Sequence, residues 1–214
     1  MKALLIGSIS VLVDTSEIQR CAFNDAFHEA GLDWYWSRDE YRQMLQDSGG
    51  KDRIEAFAER AGEKVDAKAL HAHKTEIFQQ LLRAGELELR VHTAQALADA
   101  KEQGIKIAFV SGTAQESLDA VLEPFGGADA LGLDLVTSAK DGLAAKPDPA
   151  LYRYALEQLG VAASDAIAIE DNLAGVAAAK AAGITCYAYP NENTIDHDFG
   201  ATPDVTELTR QQAA

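Results

Sequence analysis

From about residue 94 onward, short apolar runs suited to buried strands alternate with stretches of helical periodicity. This alternation constrains the fold more than any other property of the chain. Residues 94–102 carry helical spacing and stop before Gly104, and 105–110 read as a strand. A helix is expected over 115–122, a short strand over 133–136, and a helix over 149–159 with Asp148 placed to cap it and Pro149 at its first position. Residues 166–169 read as a strand, 173–182 as a helix closed by Gly183, and 184–187 as another strand. Strand–helix–strand repeats imply right-handed crossovers and a parallel sheet. The first strand lies far upstream at residues 3–6, with more apolar residues at Val11, Leu12 and Val13. Between the two regions, residues 16–85 read as helical throughout. Ile18, Ala22, Ala26, Phe27 and Ala30 recur at helical spacing before Gly31, and further helices are expected over 38–46, 52–61 and 66–82. The expectation is an α/β protein with a doubly wound, Rossmann-like parallel core from residues 1–15 and 86–214. An all-helical cap, residues 16–85, is inserted after its first strand.

Charge narrows the partners. The chain of 214 residues has a formal net charge of −15, which argues against nucleic acid and against an anionic membrane surface. At 47% hydrophobic residues it can bury a real core. Cys21 and Cys186 make no disulfide framework and suit reduced thiols in the cytoplasm. Lys2 and the apolar run after it resemble a short signal peptide, but Asp14-Thr15-Ser16-Glu17 follows where a small-x-small cleavage site belongs. No apolar run has the roughly 18 residues of a membrane span. A monomer is favoured.

In open parallel sheets ligands bind beyond the carboxyl ends of the strands, so the residues that follow each strand carry the information. Ser111-Gly112-Thr113, ahead of a helix, offers backbone N–H groups to an anion, or is an ordinary capped turn. Lys146, just before Pro147-Asp148-Pro149, either places a point charge on a phosphoryl oxygen or is a solvated lysine. Glu170-Asp171-Asn172 ends a buried strand with paired carboxylates. That is either a Mg²⁺ site or a helix cap through Asp171 or Asn172.

In order and spacing, this set resembles the haloacid dehalogenase-like hydrolase superfamily. It comprises Asp14-Thr15 beyond a strand, a helical insert, Val110-Ser111-Gly112, Lys146-Pro147-x-Pro149, and Glu170-Asp171 before Gly175. Ala22-Phe23-Asn24, Gly49-Gly50-Lys51 with Arg53, and Lys74 narrow it to the capped β-phosphoglucomutase-like and sugar-bisphosphate phosphatase-like branch. The resemblance implies phosphate binding by Ser111, Gly112 and Lys146, and substrate contacts from Lys51, Arg53 and Lys74. It also implies Mg²⁺ at Glu170 and Asp171, and a phosphorylated small molecule as ligand. Members of the superfamily carry Asp-x-Asp-Gly after the first strand. The first Asp is the nucleophile and a metal ligand, and the second is the acid/base. Aligned on Val11 to Thr15, this chain has Gly7-Ser8-Ile9-Ser10 instead. Neither Gly7 nor Ile9 can attack, ligate through a side chain or carry a proton. Ser8 and Ser10 lack a neighbouring base in sequence, and strand alternation is expected to turn Ser8 away from the Gly7 and Ile9 face. The leading expectation is a member that has lost phosphoryl transfer, binds Mg²⁺ weakly or not at all, and still binds a phosphorylated sugar or metabolite. The alternative is an active Mg²⁺-dependent sugar-phosphate phosphatase or phosphomutase with an unrecognised nucleophile.

Overall fold

Five short strands form one sheet: β1 Ala3–Ile6, β2 Lys106–Val110, β3 Leu135–Thr137, β4 Ala166–Glu170 and β5 Thr185–Ala188. Their order is β3-β2-β1-β4-β5, and every neighbouring pair is parallel. The computed structural model describes residues 1–46 and 49–212. All of β1 is buried, as a central strand covered by helices on both faces requires. Leu4 and Ile6 enter one apolar cluster, and Ala3 and Leu5 the other.

Among the described residues, eleven α-helices accompany the strands. The first five follow β1 directly: α1 Ile9–Leu12, α2 Ser16–Glu29, α3 Arg38–Met44, α4 Gly50–Ala61 and α5 Ala67–Ala84. The rest are α6 Val91–Glu102, α7 Gln115–Leu122, α8 Gly127–Leu131, α9 Ala150–Leu159, α10 Leu173–Ala181 and α11 Val205–Gln212. Ala96 and Leu97 of α6 and Leu118 and Val121 of α7 cover one sheet face; Leu151 and Ala155 of α9 and Val176 and Ala179 of α10 cover the other. Helices α2–α5 gather around aromatic rings: Phe23 lies 4.6 Å from Trp36, and Phe27 lies 4.8 Å from Trp36. Its helix starts are set by local chemistry. Ser37 and Glu40 form a reciprocal capping box, and Asp66 accepts the Ala69 N–H at 2.9 Å.

Three expectations are corrected. Residues 11–13 do not extend a strand. Ser8 caps the Val11 N–H and starts α1, which takes Val11 and Leu12 into a buried turn. The third strand is Leu135–Thr137 rather than 133–136, because Asp134 commits its N–H and carboxylate to the backbone of Ile107 as the chain enters the sheet. Pro149 precedes α9 as its cap residue, while Asp148 accepts the Ala150 N–H at 2.8 Å. Strand order reverses between β1 and β4, so the crevice of this sheet opens where Gly7 and Glu170 leave it.

Candidate functional site

At that crevice the Gly7 N–H continues the ladder by donating to the Ile169 carbonyl at 2.9 Å. Lys146 reaches in from the loop before α9. Its ammonium donates to the carbonyls of Gly7 and of Val110, the latter at 2.8 Å, and to Glu170 Oε1 at 2.6 Å. Glu170 is fully buried, and the Tyr152 hydroxyl of α9 donates to the same Oε1 at 2.6 Å. Burial pushes the Glu170 carboxyl up, and the Lys146 charge and the Tyr152 hydrogen bond oppose that rise. Burial and the Glu170 charge push the Tyr152 phenol up as well. The carboxyl group is wedged between two glycines. A Cβ on Gly7 would fall 2.2 Å from Glu170 Cδ and 2.5 Å from Tyr152 Oη, and one on Gly175 would fall 2.1 Å from Glu170 Cδ. The space beside position 7 is thus filled by Glu170 and Tyr152. Ile9 is buried among the apolar residues of the sheet face.

Asp171, the next residue, is 4% exposed and takes neutral donors. Oδ1 accepts from Ser8 Oγ and Asn172 Nδ2, each at 2.7 Å, and Oδ2 accepts from Asn191 Nδ2 at 2.6 Å. The Thr194 hydroxyl donates to the Asp171 carbonyl at 2.6 Å. Asn172, not Asp171, caps α10 by accepting the Gly175 N–H. The expectation for Ser8 is overturned. β1 ends at Ile6 and the chain turns into α1, so strand alternation does not extend to Ser8, whose hydroxyl lies on Asp171. Ser10 instead bonds Thr15. Tyr152, Asn191 and Thr194 were not anticipated. The one sequence signal for the last two is polarity immediately after β5, where the Tyr189 N–H donates to the Glu170 carbonyl and carries the chain back over the crevice.

On the other side of β1, the Ser111 N–H donates to Thr137 Oγ1 at 2.9 Å, and Ser111 Oγ accepts the Thr113 N–H at 3.1 Å. Gly112 is exposed, and α7 begins at Gln115 without a side-chain cap. Ser111 and Lys146 therefore share one edge of the sheet, linked through Val110. In the helical insert, Lys74 of α5 is 5% exposed, donates to Gln19 of α2, and stands 4.5 Å from the Phe23 ring and 4.8 Å from the Phe78 ring. Burial first, and Arg53 second, lower its ammonium to about 7. His71 is lowered to about 4 by burial, then by Lys74 and Arg53. Gly50 lets α4 approach: a Cβ there would sit 2.5 Å from His71 Nε2 and 3.2 Å from Phe23. His71 and Lys74 thus flank Phe23, with the Arg53 charge near enough to act on both. Lys51 stands apart, exposed and paired with Glu55 at 3.0 Å.

The two carboxylates expected to hold Mg²⁺ are engaged by protein groups in this arrangement. Glu170 is paired with Lys146, and Asp171 accepts from Ser8, Asn172 and Asn191. Among the described residues no three acidic, histidine or cysteine side chains gather to hold an ion. Among them, too, no helix is long and apolar enough to cross a membrane.

Known proteins resemble this chain in sequence and fold. A family described as haloacid dehalogenase-like hydrolase matches residues 2–183. Protein CbbY of Cereibacter sphaeroides is 38% identical over 205 residues, covering 93% of this chain and 88% of that one. The crystal structure of CbbY from Rhodobacter sphaeroides in complex with phosphate superposes with a TM-score of 0.86 at 34% identity, covering 97% of this chain and 96% of that one. A single-residue mutant of the same protein, crystallised with xylulose-(1,5)bisphosphate, gives a TM-score of 0.84 at 34% identity, covering 95% and 92%.

Proposed function

Because this chain belongs to the haloacid dehalogenase-like hydrolase family, we propose that its ligand is a phosphorylated sugar lying between the sheet edge and the helical cap. One phosphate is held by Ser111, Gly112 and Lys146, and the far end of the sugar, or a second phosphate, by Arg53, His71 and Lys74. Lys51 stands at the rim, and residues 16–85 act as the cap. The observation that carries the reading is the Lys146 ammonium at the carboxyl end of the sheet, paired with Glu170 and bonded to the Gly7 and Val110 carbonyls, where a phosphoryl oxygen would compete for its N–H groups. Similarity to a relative crystallised with phosphate and with a sugar bisphosphate supports the ligand class. A second phosphate at the cap would favour the charged forms of Lys74 and His71, which burial now opposes.

In this reading the aspartyl-phosphate route does not run, since position 7 offers no side chain and Ile9 no proton. The second reading, an active sugar-phosphate phosphatase, is favoured over silent binding by the kinship to hydrolases, and it draws its nucleophile from elsewhere in the site. A calorimetric and thermal-shift comparison of inorganic phosphate, a sugar monophosphate and a sugar bisphosphate tests the binding reading. The bisphosphate should raise Tm most, and Lys74→Met should reduce its effect to that of the monophosphate. Flat responses to all three in the wild-type protein would overturn the proposal.

A further inference from the structure

We propose that Ser8 is a phosphoryl-group acceptor, with Asp171 taking its hydroxyl proton. This rests on the reading of the crevice as a site for phosphate esters. Ser8 is half-buried and directly follows Gly7, whose carbonyl accepts from the Lys146 ammonium of the proposed phosphate site. Ser8 Oγ donates to Asp171 Oδ1 at 2.7 Å and accepts the Val11 N–H at 3.2 Å, which fixes its rotamer and leaves a lone pair for attack. Asp171 is oriented by Asn172 on Oδ1 at 2.7 Å and by Asn191 on Oδ2 at 2.6 Å. A nucleophile on a base, with the base held by further groups, is the arrangement of an activated serine. Sequence alone hid it, because the base lies 163 residues away and the turn after β1 takes Ser8 out of the strand alternation.

The step balances without a redox partner. The Ser8 Oγ–P bond forms as the P–O bond to the sugar breaks, and that bond's electron pair leaves on the sugar oxygen. The hydroxyl proton passes to Asp171 and from there to the departing oxygen. The products are the free sugar hydroxyl and phosphoserine.

The test incubates the full chain with a ³²P-labelled sugar phosphate and, separately, with acetyl phosphate, a donor that needs no recognition by the cap. The label is located by peptide mass spectrometry. It should sit on Ser8, resist hydroxylamine, vanish in Ser8→Ala, and form roughly a hundredfold or more slowly in Asp171→Asn. Ser8→Asn keeps a capping oxygen for Val11 without a hydroxyl and should also stay unlabelled, which separates lost chemistry from lost folding. Ser10→Ala, whose hydroxyl bonds Thr15, should label like the wild type. Label that survives in Ser8→Ala, or that hydroxylamine discharges, would overturn the proposal. So would a wild-type protein that neither donor labels. Should the sugar phosphate fail to shift Tm, the ligand reading falls, and the acetyl phosphate arm alone decides for or against Ser8.

Discussion

Glu170 is the residue around which the site is organised, and its neighbours predict what substitutions will do. Gly7 and Gly175 touch its carboxyl from either side, so an added methyl must push a group that Lys146 and Tyr152 hold in place. Gly7→Ala and Gly175→Ala should each cost about 1–3 kcal/mol in urea unfolding. Gly7→Asp should cost more, since a second carboxylate would crowd the first. Lys146→Ala strikes differently, by leaving a buried carboxylate without its counter-charge, at about 3–5 kcal/mol. Adding Glu170→Gln to Lys146→Ala should restore a large part of that loss, and failure to do so would show that the ion pair is not the source. Lys146, Glu170 and Asp171 were each visible in the sequence as polar residues after buried strands. Their partners were not. Tyr152 sits on a helix face that reads as apolar core, and the Glu170–Lys146 pair turns one expected metal ligand and one expected phosphate ligand toward each other. No local pattern encodes that choice; it follows from the side-chain-free space beside Gly7.

Among elements, the joint between α2, α3 and the loop after β5 is built on charge. Glu17 of α2 meets Arg20 at 2.9 Å, Arg38 of α3 at 3.0 Å and the Asn193 amide at 2.7 Å. Burial works to raise the Glu17 carboxyl, but the hydrogen bonds from Arg20, Asn193 and Arg38 prevail and hold it at about 2. A depressed carboxylate stabilises the fold above its unfolded pKa of about 4.5, and that stability is lost as pH falls toward about 2. Urea unfolding should therefore weaken between about pH 5 and pH 2, and Glu17→Gln should be flatter over that window; equal slopes would remove Glu17 as the cause. The outer pairs add little: Asp196, bonded to Arg42, is 73% exposed. The strands and long helices here were readable from period and stop signals, because each buries one continuous apolar face. What escaped was α1 and the polar loop after β5. A four-residue helix is set by one capping serine rather than by a period, and the loop is held by scattered hydrogen bonds, among them those of Asn191 and Thr194 to Asp171 and of Asn193 to Glu17.

For the molecule as a whole, the helices after β1 bring a buried lysine, Lys74, into a protein of net charge −15. Lys74 titrates near 7 when folded and near 10.5 when unfolded, because burial and Arg53 disfavour its charge. Between those values the unfolded chain holds a proton that the folded one lacks, so this lysine makes stability rise with pH, by up to about 1.4 kcal/mol per unit. General repulsion in an acidic chain works the other way at alkaline pH. The comparison that isolates Lys74 is thus wild type against Lys74→Met, whose stability should not share that rise. Ligand binding inverts the sign. A phosphate beside Lys74, as proposed, would raise its pKa back toward 10.5, so a sugar bisphosphate should bind with uptake of a proton above pH 7, and its affinity should fall as pH climbs through that window. Calorimetry at pH 8 in buffers of different ionisation enthalpy reads the uptake directly. A fraction of a proton or more is expected for the wild type and none for Lys74→Met. A wild-type enthalpy independent of buffer would mean that the second phosphate does not reach Lys74, and that the cap cations serve the packing of α2 against α5 instead.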